Sequence, residues 1–206
     1  MPVITTSTLA GFPDANLTGV RDGVTLTQVG DMTVTTPGAV ISGLEIHGTL
    51  RIEADNVTVI DCKIVNDGGY YGIYSGYDGS ITGLVVEHCD IVGPQYGIGG
   101  EGTFRFNDIS QVENGIIFWG PSLFEDNYVH GLFYAGSPHY DGLQIDGGGV
   151  SNVTIRHNTV INDYGQTSAI MIDNYFGDVS NIIVDNNYLA GGGYTIFVDD
   201  RFNGRS

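Results

Sequence analysis

An asparagine or cysteine returns in a fixed frame along the chain, followed two residues later by an aliphatic side chain. The pairs are Cys62/Ile64, Cys89/Ile91, Asn107/Ile109, Asn127/Val129, Asn158/Val160 and Asn187/Leu189. Residues two apart point to the same side of a strand, so each pair predicts a polar and an apolar group facing inward together. An inward Asn needs partners for its amide, and stacking on the Asn of the next turn supplies them. The frame recurs every 18 to 31 residues, the period range of solenoids. A second frame, Gly or a small residue followed by an aliphatic, predicts inward Ile73, Ile98, Ile116, Leu143, Ile170 and Ile196. A third, V-x-V after Asn, occurs at Asn56-Val57-Thr58-Val59, Asn152-Val153-Thr154-Ile155 and Asn181-Ile182-Ile183-Val184. Three short strands per turn, each paired with the turns above and below, predict an all-β fold: a single-stranded right-handed parallel β-helix with an internal Asn/Cys ladder. No apolar stripe of helical period appears.

The repeat implies one domain over residues 24–206, with the aperiodic segment 1–23 expected to cap its start and no cap evident at its end. The uncapped end points to a partner chain, such as a homotrimer or other virion proteins, or to a longer protein. The 32 glycines are scattered through the strands, as tight turns require. The two cysteines share one ladder position and read as small buried thiols. The N-x-T sequences at Asn16, Asn56 and Asn152 read as turn-to-strand junctions.

Charge narrows the function. A net charge of −17, with seven basic residues, disfavours nucleic acid and anionic membrane as partners. No apolar run approaches a membrane span, so no insertion is expected. The first residues lack the basic and long apolar regions of a secretion signal.

Two motif groups carry a resemblance. Phe12-Pro13-Asp14-Ala15-Asn16-Leu17-Thr18-Gly19-Val20 and Pro37-Gly38-Ala39-Val40-Ile41 resemble the start of a group of bacterial and phage β-helix proteins. Pro138-His139-Tyr140-Asp141-Gly142-Leu143-Gln144 is similar to an H-x-D-G-[ILV]-Q motif of that group. The chain thus resembles the pectate-lyase-like β-helix superfamily over almost all its length. That superfamily holds polysaccharide lyases, glycoside hydrolases, epimerases, phage tailspikes and adhesins, so the resemblance implies contact with a polysaccharide or surface glycan along one flank. It also implies an extracellular or virion location, reached without a signal by release of a phage particle or in a chain whose signal was removed.

Chemistry is expected on the outward positions of the second frame. One outward column reads Tyr74, Gly99, Ile117, Gln144, Met171, Phe197; the next reads Gly76, Glu101, Trp119, Asp146, Asp173, Asp199. Three aspartates on successive rungs would repel one another at about 5 Å. A hard cation such as Ca²⁺ would relieve this, making Asp146, Asp173 and Asp199 candidate metal ligands, although the sequence fixes no cofactor. Tyr74, Trp119 and Phe197 beside these carboxylates, with Gln144, suit sugar rings. His139, Tyr140 and Asp141 are placed in a loop rimming this face. For β-elimination of an acidic polysaccharide, His139 or Tyr140 would take the proton, and Ca²⁺ or Arg201 would neutralise the uronate. For hydrolysis, Asp146 and Asp173 would serve as acid and base. A non-catalytic phage adhesin using the same face is the alternative. The bends before the ladder residue, such as Ile60-Asp61, Glu87-His88, Arg156-His157 and Asp185-Asn186, read as exposed and variable.

Overall fold

The computed structural model describes residues 11–76 and 80–200, which form 21 strands and no helix. Every strand pairing is parallel. The strands stack into three faces, one for each sequence frame.

The Asn face is an eight-stranded sheet running from Thr27–Val29 to Tyr188–Gly191. Its inward column Ile46, Ile64, Ile91, Ile109, Val129, Val160 is wholly buried. The Gly face runs from Met32–Val34 to Tyr194–Asp199, with Leu50, Ile73, Ile98, Ile116, Leu143 and Ile170 in register and buried. The third face carries the inward column Val59, Val86, Phe104, Phe124, Ile155. It joins the Gly face because Tyr96–Arg105 and Asn114–Glu125 run unbroken through the corner. Burying each such aliphatic side chain contributes about 1.5–3 kcal/mol, repeated rung after rung.

The ladder forms as its spacing predicts. Asn107, Asn127 and Asn158 are wholly buried. Each Nδ2 donates to the Oδ1 of the next rung: Asn107 to Asn127 at 2.9 Å, Asn127 to Asn158 at 3.1 Å, Asn158 to Asn187 at 2.9 Å. The same oxygens accept the backbone N–H of the preceding ladder residue, so each Oδ1 satisfies two donors. Cys62 and Cys89 are free buried thiols that continue the column, Cys89 N donating to Asn107 Oδ1 at 3.1 Å.

The residue before every ladder position adopts the left-handed conformation: Asp61, His88, Phe106, Asp126, His157 and Asn186 have φ between 49° and 57°. One bend geometry therefore recurs with unrelated side chains, and those side chains stack in a row along the outside. Their variability is real, but the row is occupied. Residues 11–23, part of the segment expected as a cap, run along it through a series of turns and bends. Phe12 stacks on His157 and reaches Tyr188. Further on, Gly19 N donates to Phe106 O at 2.8 Å and Val20 N to Asp90 Oδ1 at 3.2 Å, and Arg21 Nε meets Asp61 Oδ1 at 2.8 Å. The segment crosses five rung intervals, roughly 24 Å, against the direction of coil growth. At the far rung the core-facing Ile196 and Val198 are exposed, as residues of a terminal turn with no described rung beyond.

Candidate functional site

The Gly face carries the chemistry. Its outward register aligns Arg51, Tyr74, Gly99, Ile117, Gln144, Met171 and Phe197, with Asp173 paired to Asp199 two positions on. Ile145 pairs with Ile172, which sets Asp146 level with Asp173 on the neighbouring rung, about 4.8 Å away along the sheet.

A cleft of about 360 Å³ opens over this region. His139, Asp141, Gln144, Asp146 and Asp173 all line it, together with Glu113, which lies on the preceding rung. No lysine or arginine of the described residues lines it. One wall is the segment Asn174–Gly177, tied down by Phe176 N donating to Asp146 O at 2.9 Å and presenting the exposed rings of Tyr175 and Phe176. Tyr96 forms part of the opposite side, and burial pushes its hydroxyl well above the usual tyrosine range.

The carboxyls differ in setting. Asp141 is the first residue of a strand and not a loop residue; it is 2% exposed and accepts Ser168 Oγ at 2.8 Å. Burial, opposed by the Ser168 hydrogen bond and reinforced by Asp146 and Glu113, raises it to about 7. Asp146 is half-buried; desolvation, opposed by Gln144 and reinforced by Asp173, raises it to about 6. Gln144 Nε2 donates to both oxygens of Asp146 at 2.8 and 2.9 Å, while Gln144 Oε1 is buried without a hydrogen-bond partner. Asp173 is raised by burial, but its Oδ1 accepts Tyr175 N at 2.9 Å, a bond that favours the ionised form. Glu113 accepts His139 N on Oε1 at 3.0 Å and Gln95 Nε2 on Oε2 at 2.9 Å. The cleft thus holds four carboxyls, of which Asp141, at about 7, is partly protonated at neutral pH and Asp146, at about 6, becomes protonated in mildly acidic solution.

Some expected participants lie elsewhere. Tyr140 is buried, stacked on Tyr164 at 3.9 Å, and its hydroxyl is bonded to the backbone of Tyr134, so it cannot serve as a base in the cleft. Phe197 and Asp199 sit one rung beyond the cleft and do not line it. Arg201 lies outside the described residues. Among the described residues, no three acidic, imidazole or thiol groups converge to hold a metal ion, so the Ca²⁺ expectation for Asp146, Asp173 and Asp199 has no such cluster behind it.

Trp119 turns away from the carboxyls toward the early rungs. Its ring lies 5.7 Å from Tyr71 and 5.3 Å from Tyr74. A Cβ on Gly99 would fall 2.6 Å from the indole and 2.7 Å from Tyr71, so glycine is what admits both rings. Tyr70 and Tyr96 extend the group, and the Arg51 guanidinium sits 4.7 Å above the Tyr74 ring. Sequence reasoning missed Glu113, Tyr71 and Tyr96. Stepping one residue back from the frame glycine gives Tyr71, Tyr96, Asn114, Asp141 and Ser168, a column that register confirms and that borders the cleft.

No helix of the described residues is long and apolar enough to cross a membrane. Comparison with curated proteins and with solved structures finds no match to the chain. Residues 42–204, most of the chain, match the family model described as a right handed beta helix region. Parallel three-faced rungs around an inward Asn ladder agree with that match, and the chain belongs to the right-handed β-helix family.

Proposed function

We propose that the protein engages a glycan along the Gly face and hydrolyses it in the acidic cleft. The observation that carries this reading is the pairing of Asp146 and Asp173 on neighbouring rungs of one cleft, in unlike settings. Asp146, raised to about 6, is a proton donor at mildly acidic pH. Asp173, held by a backbone N–H, is its ionised counterpart. Asp146 gives its proton to the glycosidic oxygen; Asp173 attacks the anomeric carbon as the bond to that oxygen breaks. Water, deprotonated by Asp146, then displaces Asp173. A separation near 4.8 Å, taken from strand spacing, suits this retaining course. Tyr175, Phe176 and Tyr96 supply flat faces for sugar rings.

The pectate-lyase-like resemblance offers β-elimination as another course, but a lining of four carboxyls with no described lysine or arginine disfavours a uronate there. We take the sugar in the cleft to be neutral on the ground of that acidic lining. A non-catalytic adhesin remains the second reading, favoured by the aromatic group around Trp119, which needs no acid or base to hold a glycan.

The test is a polysaccharide panel read two ways: new reducing ends report any cleavage, and ultraviolet absorbance of an unsaturated uronate reports elimination. Reducing ends without the unsaturated product are expected. Unsaturated product would replace hydrolysis by elimination, and binding without cleavage would leave the adhesin.

A further inference from the structure

The cleft occupies only part of the Gly face. From Gln144 the outward column continues back through Ile117, Gly99 and Tyr74 to Arg51, four rung intervals or about 19 Å. The aromatic rings of Trp119, Tyr71 and Tyr74 cover the middle of this distance. The advance per rung is close to that of one pyranose residue in an extended chain, so an oligosaccharide seated in the cleft reaches the far end after about four sugars.

That far end has different electrostatics. A hollow of about 480 Å³ is lined by Arg51, Glu53, Tyr74 and Ser80. The other three described arginines are committed to carboxylates: Arg105 reaches Glu87 and Arg156 reaches Glu125 at 2.5 Å, and Arg21 grips Asp61 through two nitrogens. Among the described residues Arg51 pairs only with Glu53, at 4.0 Å, with both side chains about half exposed. Its guanidinium is set over the Tyr74 ring, which orients the planar fork without using its N–H donors. A weakly paired, oriented guanidinium beside an aromatic floor suits a carboxylate, sulfate or phosphate on a sugar.

We propose that the outward column from Gln144 to Arg51 is one glycan track, and that its Arg51 end selects a sugar bearing an anionic substituent about four residues from the one held in the cleft. This deepens, and rests on, the glycan reading above. It defines the substrate class as a mixed polymer, neutral where it is cut and acidic at an interval, which neither the cleft nor the aromatic group specifies alone.

Trp119 is the only tryptophan, so its fluorescence reports occupancy of the track. The protein is titrated with hexasaccharides from the polysaccharide panel, each acidic one paired with its neutral form, made by carboxyl reduction, desulfation or dephosphorylation as its substituent requires. At least one acidic hexasaccharide is expected to bind five- to tenfold more tightly than its neutral partner. Arg51→Gln should erase that difference without changing the melting temperature. Gly99→Ala, which displaces the rings, should weaken both forms. Equal affinity of the paired forms, or a preference that survives Arg51→Gln, overturns the Arg51 assignment while leaving the glycan reading standing. Absence of any Trp119 response, with no binding by calorimetry across the panel, overturns both.

Discussion

The imidazole of His157 donates through Nε2 to the carbonyl oxygen of Gly11, 146 positions away in the chain, at 2.7 Å. Its other nitrogen faces Asp126 Oδ1. Both partners are acceptors, so the ring makes both bonds only as the imidazolium, and the Asp126 hydrogen bond raises its pKa. This contact fastens one end of the segment along the bend row, and Arg21–Asp61 fastens the other.

The His157 tether should depend on pH in a definite sense. A raised folded-state pKa means the contact is fully present below about 6.5 and is lost as pH rises through the higher folded value. Amide hydrogen exchange at residues 11–16 should accelerate across that rise, after correction for intrinsic rates. His157→Gln should abolish the dependence. An exchange profile insensitive to pH in the wild type would contradict it.

Asp61 acts in the opposite range. The hydrogen bond from Arg21 lowers its pKa, so its stabilisation is present above the usual aspartate range and lost as pH falls through the depressed value. Arg21→Ala should free residues 18–22 to proteolysis near neutral pH and leave the core exchange rates unchanged.

The ladder should be least tolerant at its centre. Asn158→Leu removes the acceptor shared by Asn127 N and Nδ2; Nδ2 keeps Phe104 O and Glu125 O, but the stranded Asn127 N–H costs about 1–3 kcal/mol. Asn187→Leu should cost less, because residue 187 is half-buried and water can take its place beside Asn158. Urea denaturation of the two variants gives the comparison.

Asp141 should destabilise the fold once ionised. Its rise from the ordinary 3.8 to about 7 corresponds to roughly 4 kcal/mol of stability, present below pH 4 and lost as pH climbs through 7. Asp141→Asn keeps an oxygen for Ser168 and removes the charge, so its melting temperature should exceed that of the wild type at pH 8 and the gap should close toward pH 4.

Most of the fold was legible because a parallel coil repeats each side-chain environment at each turn. Asn107, Asn127 and Asn158 had to share a layer, and Ile98, Ile116 and Leu143 another, since polar and apolar positions kept the same offset. The outward columns follow from the same offset and contain Gln144, Asp146 and Asp173, while the H-x-D-G loop carries His139 and Asp141; all five line one cleft. Register says nothing of where a side chain leans. Tyr140 belongs to the right loop but turns inward onto Tyr164, and Trp119 leans two rungs back, over Gly99. Register likewise does not give the partners of a carboxyl: Gln144 holds Asp146 and Tyr175 N holds Asp173. Residues 11–23 carry no repeat, so their course along the bends could not be read from periodicity at all.

The most direct measurement of the central claim is the pH–rate profile of glycan cleavage for the wild type and for Asp146→Asn and Asp173→Asn. Asp146 works protonated and is raised to about 6, so the wild-type rate should fall as pH rises beyond 6. Each variant should lose about 10²–10⁴ in rate while its melting curve stays intact. Wild-type turnover in either folded variant, or a rate that climbs through pH 6 to 8, would contradict the account.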